Sequence, residues 1–282
     1  MNEDNINIVA FQGQSGAYSE MACREFLPSM KTFPCENFED AFDAVIQGSA
    51  KYAMIPIENS RAGRVADIHN LLKDSSLHIV SEYFYKVNHQ LLGLEGSSIE
   101  NLVSVCSHVQ ALSQCRNFIN KHGLNPVVMG DTAGSAAYVM KKNDVKCAAI
   151  ASSLAGEING LKILSNNIQD SKNNVTRFVI LSLDSNDPNP DDGLILTSCI
   201  FSLRNIPAAL YKALGGFATN RVNIVKLESY MLDDSFTSAQ FYIDIYGHPS
   251  DKKVRLALEE LGFFSKEVRI LGVYKGAKER QI

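Results

Sequence analysis

The 282-residue sequence has no tryptophan, no excess of basic residues and no long apolar run. Its formal net charge of -4 and pI of about 5.9 provide no basic face for a nucleic-acid backbone. No stretch approaches the length needed to cross a bilayer. The first residues, "MNEDNIN", are acidic and lack the positive region of a secretory signal. We therefore expect a cytoplasmic protein with a small-molecule partner and with neither nucleic acid nor membrane as a partner.

Cysteine pairs and metal-ligand spacings are also missing. The sequence contains no C-x-x-C pair and no histidine at metal-ligand spacing. The cysteines are scattered singly along the chain: Cys23, Cys35, Cys106, Cys115, Cys147 and Cys199. We interpret them as reduced core residues. Cys115 falls on the apolar side of a helical pattern, where a thiol is usually inert, so a catalytic role is the less favoured alternative.

One polar stretch divides the chain into two unlike halves. "DSNDPNPDDG", residues 184–193, has two prolines, four aspartates and no apolar residue to bury. A composition of 45% hydrophobic and 21% charged residues is that of an ordinary globular protein. The sequence therefore predicts one domain over 1–183, a linker over 184–193 and a second domain over 194–282.

The first half alternates strands with helices, which is typical of an α/β architecture with a largely parallel sheet. The predicted strands are 6–11, 52–57, 77–85, 101–106, 126–129, 147–151 and 175–183, and the predicted helices are 16–27, 38–47, 65–73, 109–121 and 132–142. Asn37 and Gly48 are suited to begin and end the second helix. Residues from about 78 to 160 form a second set of units, entered through "KVNHQLLG" (86–93). This organisation predicts two α/β lobes with a binding site between them.

The second half has the pattern βαββαβ, which is typical of a ferredoxin-like domain. Its predicted elements are strand 195–203, helix 207–218, strands 222–231 and 236–246, helix 250–261 and strand 267–274. In the third strand Phe236, Ser238, Gln240, Tyr242 and Asp244 alternate with apolar residues and share one face. A small sheet of this kind leaves an edge or a face for a second copy, so we expect a homo-oligomer.

A strand meets a helix at "AFQGQSGAYSE", residues 10–20. The glycines and Ser15 stand where the unpaired N–H groups of a helix N-terminus can bind an anion. A tight turn with a serine cap explains these residues equally well, and taken alone it is the more economical interpretation.

Three further stretches place polar groups where a strand ends. They are "PIENSRAGRV" (56–65), "SHVQALSQC" (107–115) and "NNVTRF" (173–178). In isolation, Glu58 is suited to a surface ion pair, Asn59 and Ser60 to a turn, and Ser107 to a helix cap. His108 beside Ser107 does not make a nucleophile and base, because adjacent helical residues do not face one another.

Together, the four stretches describe a cleft that holds an anion by N–H groups, hydroxyls and one guanidinium, that of Arg177. The glycines at 13 and 16 fit neither a Walker motif, which needs a lysine, nor a dinucleotide-binding turn, which needs G-x-G spacing. The sequence therefore predicts no cofactor and no metal.

The four motifs, in this order and followed by a domain with "VNIVKLESY", resemble prephenate dehydratase over nearly the whole chain. The resemblance implies a two-lobed catalytic domain similar to type II periplasmic binding proteins and a C-terminal ACT domain. It implies conversion of prephenate to phenylpyruvate, water and carbon dioxide without a cofactor.

The resemblance also implies residue roles. Thr176 would donate a hydrogen bond or proton to the departing hydroxyl, and Arg177 would bind a carboxylate. The implied substrate-binding residues are Ser15, Gly16, Ala17, Glu58, Asn59, Ser60, Ser107, Asn174 and Phe178.

In the second half the resemblance implies regulation by L-phenylalanine at Ala209, Leu210, Asn223, Glu228 and Ser229. Glu228 and Ser229 match a family E-S-R-P motif, whereas Tyr230 and Met231 replace its arginine and proline. An ACT domain kept for oligomerisation is the alternative. Whether phenylalanine inhibits or activates, and whether the oligomer is a homodimer or a homotetramer, stays open.

Three other functions share these features. Arogenate dehydratase performs the same elimination on the aminated substrate. A non-catalytic sensor with this fold would need neither Thr176 nor Arg177. A periplasmic receptor would carry a signal peptide.

Overall fold

The structure is a computed structural model that describes residues 7–65, 68–231 and 239–280. The strands are β1 Ile8–Gln12, β2 Lys31–Cys35, β3 Tyr52–Asn59, β4 Gly63–Arg64, β5 His78–Lys86, β6 Gln90–Gly93, β7 Ser104–His108, β8 Asn125–Met129, β9 Cys147–Ala151, β10 Lys162–Ser165, β11 Val175–Ser182, β12 Ile195–Leu203, β13 Ile224–Met231, β14 Ala239–Tyr246 and β15 Ser265–Lys275. The helices are α1 Tyr18–Phe26, α2 Phe38–Ile46, α3 Ile68–Asp74, α4 Val109–Gln114, α5 Arg116–Lys121, α6 Thr132–Lys142, α7 Ser153–Ile158, α8 Ala209–Thr219 and α9 Lys252–Phe264. Within the described residues, no helix combines the length and apolar composition that crossing a bilayer requires.

Local sequence signals account for the ends of the helices. The Asn37 side chain accepts a hydrogen bond from Asp40 N at 2.7 Å, and Gly48 has a φ of 73° beyond the end of α2. The predicted cap and stop of this helix are thus confirmed. The predicted helix 109–121 is instead two helices, because the backbone of Cys115 leaves the helical region at φ -115° and ψ 22°.

Contacts divide the chain into two compact units. The first takes the chain up to Val65 together with Tyr83–Phe178, and the second takes the segment ending at Glu82 together with everything from Val179 onward. Residues 184–193, predicted as the linker, form no helix or strand. The domain boundaries at 183 and 194 stay a prediction.

The first unit contains a five-stranded sheet with the order β10-β6-β9-β7-β8. It also contains most of a sheet in which β2, β1, β3, β11 and β5 are neighbours and β4 pairs with β3. The pairs β1–β2, β1–β3, β7–β8 and β7–β9 are parallel, whereas β6 is antiparallel to both of its neighbours. Both sheets are thus combined with helices in a mixed α/β fold, less uniformly parallel than predicted.

The bounds of the second lobe differ from the prediction of about 78–160. The five-stranded sheet begins at Gln90 and ends at Ser165, whereas β5 pairs within the other sheet. Strands β2, β6 and β10 and helix α7 were not predicted, because each is short and lacks a clear hydrophobic period. The chain therefore passes between the two sheets at residues 87–89 and again at 166–174.

The elements of the second unit from β12 to β15 have the predicted order βαββαβ, with an antiparallel sheet in the order β13-β14-β12-β15. Phe241, Ile243 and Ile245 pack into the apolar cluster that includes residues of α8 and α9. On the opposite face of β14, Tyr242 and Asp244 are also fully buried. His69 of α3, in the same unit, lies against the Tyr242 ring. The predicted alternation is thus confirmed for 239–245, while Phe236 and Ser238 lie outside the described residues.

Candidate active site

Thr176 lies near the start of β11 and is hydrogen-bonded by Asn59 at the end of β3. Asn59 Nδ2 donates to Thr176 Oγ1 at 2.9 Å and to Asn174 Oδ1 at 2.9 Å. Asn59 Oδ1 accepts from the backbone N–H groups of Arg61 and Ala62, each at 2.9 Å. A backbone N–H can only donate, so these two bonds fix which end of the Asn59 amide faces Thr176. The Thr176 oxygen therefore accepts from Asn59, and its own proton is left to donate to another group.

Ser60 closes the same junction between the two strand ends. Its hydroxyl donates to Asn173 O and accepts from Val175 N, both at 3.0 Å, and its own N–H donates to Val175 O at 2.8 Å. The predicted motifs at 56–65 and 173–178 are thus brought together. Ser60 acts here on the backbone that carries Thr176.

The hydrogen bonds continue from Asn174 to Gln114, the last residue of α4. Asn174, which is 2% exposed, donates through Nδ2 to Gln114 Oε1 at 2.7 Å. The same oxygen lies 2.8 Å from His89 Nε2, and His89 Nδ1 lies 2.7 Å from the Tyr18 hydroxyl. Sequence reasoning missed Gln114, His89 and Tyr18 as parts of the site. Gln114 falls inside "SHVQALSQC" and His89 inside "KVNHQLLG", but their contacts depend on the fold.

Arg177 is not brought to the same place as Thr176. Its side chain is 1% exposed, and Nη1 lies 3.4 Å from Glu58 Oε1. Because neighbouring strand residues point to opposite faces, Arg177 pairs with Glu58 while Thr176 pairs with Asn59. The expected contact of Arg177 with a substrate carboxylate stays a prediction, with the ion pair to Glu58 as the alternative role.

The glycine turn before α1 is held by groups of the protein itself. Gly16 N donates to the buried Glu20 carboxylate at 2.7 Å, and Gly16 O accepts from Ser152 Oγ at 2.5 Å. Gly16 has a φ of 94°, and a Cβ there would lie 2.7 Å from Ala155 Cα. Close packing against α7 thus requires this glycine. Ser15 is exposed, and Ala17 precedes α1 without a side-chain cap.

Two predicted binding residues, Ser107 and Phe178, are fully buried. Ser107 is 0% exposed, lies within β7 and donates to Ile150 O at 2.6 Å. The side chain that caps α4 belongs to His108, so the predicted Ser107 cap is wrong. Phe178 is 1% exposed and belongs to the core.

The predicted regulatory residues all lie in the second unit. Ala209 and Leu210 begin α8, where the preceding Ala208 has a φ of 58°. Asn223 is exposed, and its carbonyl accepts from Tyr246 N at 3.0 Å. Glu228 lies 2.6 Å from Lys226 Nζ on β13, where the neighbouring Ser229 is exposed. No contact described here tests a regulatory role for these residues.

Burial sets the protonation states around the site. Desolvation raises the pKa of Tyr18 well above its usual range and lowers the pKa of His89. Both groups are therefore neutral near pH 7. The group around Thr176 thus consists of neutral amides, a neutral imidazole and hydroxyls, with Thr176 and Asn59 partly exposed. It can donate a hydrogen bond to a leaving oxygen.

Comparison with known proteins gives consistent matches. A model of the prephenate dehydratase family matches residues 9–186. The bifunctional N-acyl-homoserine lactone acylase/prephenate dehydratase of Komagataeibacter europaeus is 46% identical over 275 residues, which cover 97% of this chain and 98% of that protein. Arogenate dehydratase/prephenate dehydratase 1 of Arabidopsis thaliana is 41% identical over 286 residues, covering 96% of this chain and 73% of that protein.

A solved structure is similar along almost the whole chain. The prephenate dehydratase of Arthrobacter aurescens in complex with L-Phe superposes with a TM-score of 0.87 at 29% identity. The match covers 95% of this chain and 89% of that one.

Proposed function

We propose, because this chain belongs to the prephenate dehydratase family, that it converts prephenate to phenylpyruvate, carbon dioxide and water. Similarity to prephenate and arogenate dehydratases over nearly the full chain supports a dehydratase. The Thr176 group acts on the leaving hydroxyl, which prephenate and arogenate share, so it supports the elimination for either substrate. The alternative is arogenate, the aminated substrate, because both names occur among the relatives.

The observation that carries the proposal is the hydrogen bond from Asn59 Nδ2 to Thr176 Oγ1 at 2.9 Å. In the reaction, the C–C bond to the ring carboxylate breaks and its electron pair enters the ring. The C–O bond at the opposite carbon breaks, and the departing hydroxide takes up a proton to become water. Aromatisation supplies much of the driving force, so the protein's main task is to stabilise the leaving oxygen. Thr176, with its proton directed away from Asn59, is placed to donate to that oxygen.

A threonine hydroxyl is a weak acid. We therefore assign Thr176 a hydrogen bond that strengthens as negative charge develops on the leaving oxygen, with the proton itself taken from water. Asn59 supports this role in two ways. Its N–H polarises the Thr176 hydroxyl, and because Asn59 is the donor, Thr176 cannot give its own proton to Asn59.

We assign residues 194–282 as an ACT domain that binds L-phenylalanine and joins copies of the chain into a homodimer or homotetramer. Its βαββαβ order and antiparallel sheet support the domain. The complex of the similar Arthrobacter aurescens protein with L-Phe supports the effector. A cytoplasmic location is part of the same proposal.

Acyl hydrolysis, named for the Komagataeibacter europaeus relative, gains no support from Ser107 or from the cysteines. Ser107 is fully buried and bonded to a carbonyl. The six cysteines are buried, and desolvation raises the pKa of Cys106 to about 12.

The test is turnover by purified protein given prephenate, arogenate and an N-acyl-homoserine lactone in separate assays. Phenylpyruvate from prephenate supports the proposal, and titration with L-phenylalanine then tests the ACT assignment. Turnover of arogenate alone keeps the mechanism but changes the substrate. Folded protein that turns over neither acid overturns the proposal and favours a non-catalytic sensor.

A further inference from the structure

His89 is a buried histidine that none of the sequence motifs assigned to the site. It is 3% exposed and lies where the chain first passes between the two sheets of the first unit. Its ring stands edge-on to Tyr18, with 5.3 Å between the ring centroids and an angle of 78°. An ordinary core histidine would show such packing. The direction of its hydrogen bonds separates His89 from that simpler case.

The direction of each hydrogen bond follows from the backbone N–H groups of Arg61 and Ala62, which fix the Asn59 amide. Because Asn59 Nδ2 faces Asn174, Asn174 must present its oxygen to Asn59 and its nitrogen to Gln114. Gln114 must then present Oε1 to Asn174, and the same oxygen faces His89 Nε2. An oxygen acceptor requires a donor opposite, so His89 Nε2 carries a proton.

The other ring nitrogen completes the assignment. With Nε2 protonated and the ring neutral, Nδ1 holds a lone pair 2.7 Å from the Tyr18 hydroxyl. That hydroxyl also lies 3.1 Å from Asn88 O, but an unprotonated Nδ1 at the shorter distance requires the Tyr18 proton to point to His89. The opposite tautomer would turn Gln114 around and set the amide nitrogens of Asn174 and Asn59 against each other. Facing donors in a part-buried site are unfavourable, because each loses its acceptor.

Backbone bonds hold His89 at this position. Its N–H donates to Gln169 Oε1 at 2.9 Å, and its carbonyl accepts from Ile168 N at 3.0 Å. Asn174 O accepts from Val87 N at 2.8 Å. The two passages between the sheets are therefore joined where Asn174 and His89 both contact Gln114.

We propose that His89 is a positioning residue: its Nε2 proton gives Gln114 Oε1 a second donor and so reinforces the orientation of Gln114 and Asn174 in which Asn59 donates to Thr176. This inference rests on the proposed dehydratase function for its kinetic part only. Gln114 uses Oε1 for both contacts, so its two Nε2 protons are not consumed by this chain of bonds. They face away from both Asn174 and His89.

The kinetic test compares His89→Phe with His89→Gln. The phenylalanine variant keeps an aromatic ring but removes the donor, and we expect kcat to fall about tenfold with KM changed less than about twofold, which corresponds to ~1.4 kcal/mol in the transition state. The glutamine variant retains an N–H donor and a carbonyl acceptor, and we expect it to recover most of kcat. His122→Phe, a half-buried histidine elsewhere in the first unit, is the matched control with unchanged kcat. Equal kcat for His89→Phe and wild type would overturn the proposal.

A direct test needs no turnover and no variant. In protein labelled with ¹⁵N-histidine, the His89 ring at pH 7.5 should show a protonated Nε2 and an unprotonated Nδ1. A protonated Nδ1, either as the other tautomer or as imidazolium, would contradict the assignment even if the enzyme is active. If wild type turns over neither acid, the dehydratase proposal falls, and this spectrum still decides the orientation of the bonds.

Discussion

Two buried histidines, one in each unit, stand edge-on to a tyrosine ring but have unlike neighbours. His89 lies 5.3 Å from Tyr18 and is surrounded by neutral amides. His69 lies 5.2 Å from Tyr242, with its Nε2 3.4 Å from Glu228 Oε2. In the first arrangement, neutral hydrogen-bonded side chains connect His89 to the partly exposed hydroxyl of Thr176. In the second arrangement Glu228 also pairs with Lys226 Nζ at 2.6 Å, so charged side chains lie against the sheet, where their main effect is on stability.

The charged group of the second unit extends along the polar face of its sheet. Asp244 is fully buried and accepts from Ser198 Oγ, which is also bonded to the Tyr274 hydroxyl at 2.7 Å. Arg269 donates to the carbonyls of Lys73 and Ser75 at the end of α3. Changes in this group should lower the free energy of unfolding and leave kcat unchanged. Changes around His89 should lower kcat and leave the free energy of unfolding at neutral pH unchanged.

The largest effect should come from Thr176. We expect Thr176→Ala to lower kcat by about 10²–10³ with little change in KM, because its hydrogen bond strengthens as the hydroxyl leaves. Thr176→Ser keeps the hydroxyl and should retain most of the activity. Steady-state kinetics with prephenate provide the check, and an alanine variant with wild-type kcat would remove Thr176 from the mechanism.

Asp244→Asn should act on stability alone. The change keeps the shape but replaces one oxygen of a fully buried carboxyl group with an N–H donor, so we expect the free energy of unfolding to fall by about 2 kcal/mol. Urea unfolding measures the loss, with Asp184→Asn in the exposed linker as the control. A kcat reduced more than about threefold in the folded Asp244 variant would contradict the assignment of stability to one group and turnover to the other.

Arg177→Lys distinguishes a buried ion pair from a substrate contact. A lysine cannot reproduce the guanidinium geometry toward Glu58, so we expect a loss of about 1–2 kcal/mol in unfolding free energy. KM for prephenate should stay within about twofold of wild type. A raised KM without a change in melting temperature would instead support the carboxylate contact implied by the family resemblance.

The smallest effect concerns the pH dependence of stability. Because burial lowers the pKa of His89 in the folded protein, the unfolded chain takes up this proton first as the pH falls below about 6.5. The unfolded chain then binds up to one more proton than the folded protein. His89 therefore lowers the free energy of unfolding as the pH falls below about 6.5, by at most ~1.4 kcal/mol per pH unit. His89→Gln should flatten this slope in urea unfolding at a series of pH values. A slope no different from that of His122→Gln would count against a neutral buried His89.

The sequence predicts the parts of the fold that depend on local patterns. Asn37 caps its helix, and the order of strands and helices in the second unit matches the hydrophobic alternation. Asn59, Asn174 and Thr176 meet because their motifs stand at the ends of neighbouring strands. Strand alternation could also have separated Thr176 from Arg177, since adjacent residues point to opposite faces.

Other features depend on contacts that no local pattern contains. The glycine turn resembles an anion site, but Gly16 packs against Ala155 and its N–H is bonded to Glu20. His89 and Gln114 meet only because the chain passes twice between the sheets. Such pairs, 25 residues apart here, follow from tertiary structure rather than from periodicity.

The most direct test of the account is the kcat of Asn59→Asp with prephenate. This substitution keeps the shape and still accepts the backbone protons of Arg61 and Ala62, but it replaces the donor to Thr176 and Asn174 with an acceptor. Asn174 can turn its amide to donate to the new carboxylate, whereas Thr176 has only its one hydroxyl proton to give. The Thr176 proton would then be directed to the new carboxylate and away from the leaving oxygen. We predict a fall in kcat of about 10² in protein with a near-wild-type melting temperature. Wild-type turnover by this variant would show that the direction of the Asn59–Thr176 bond does not matter and would contradict the account.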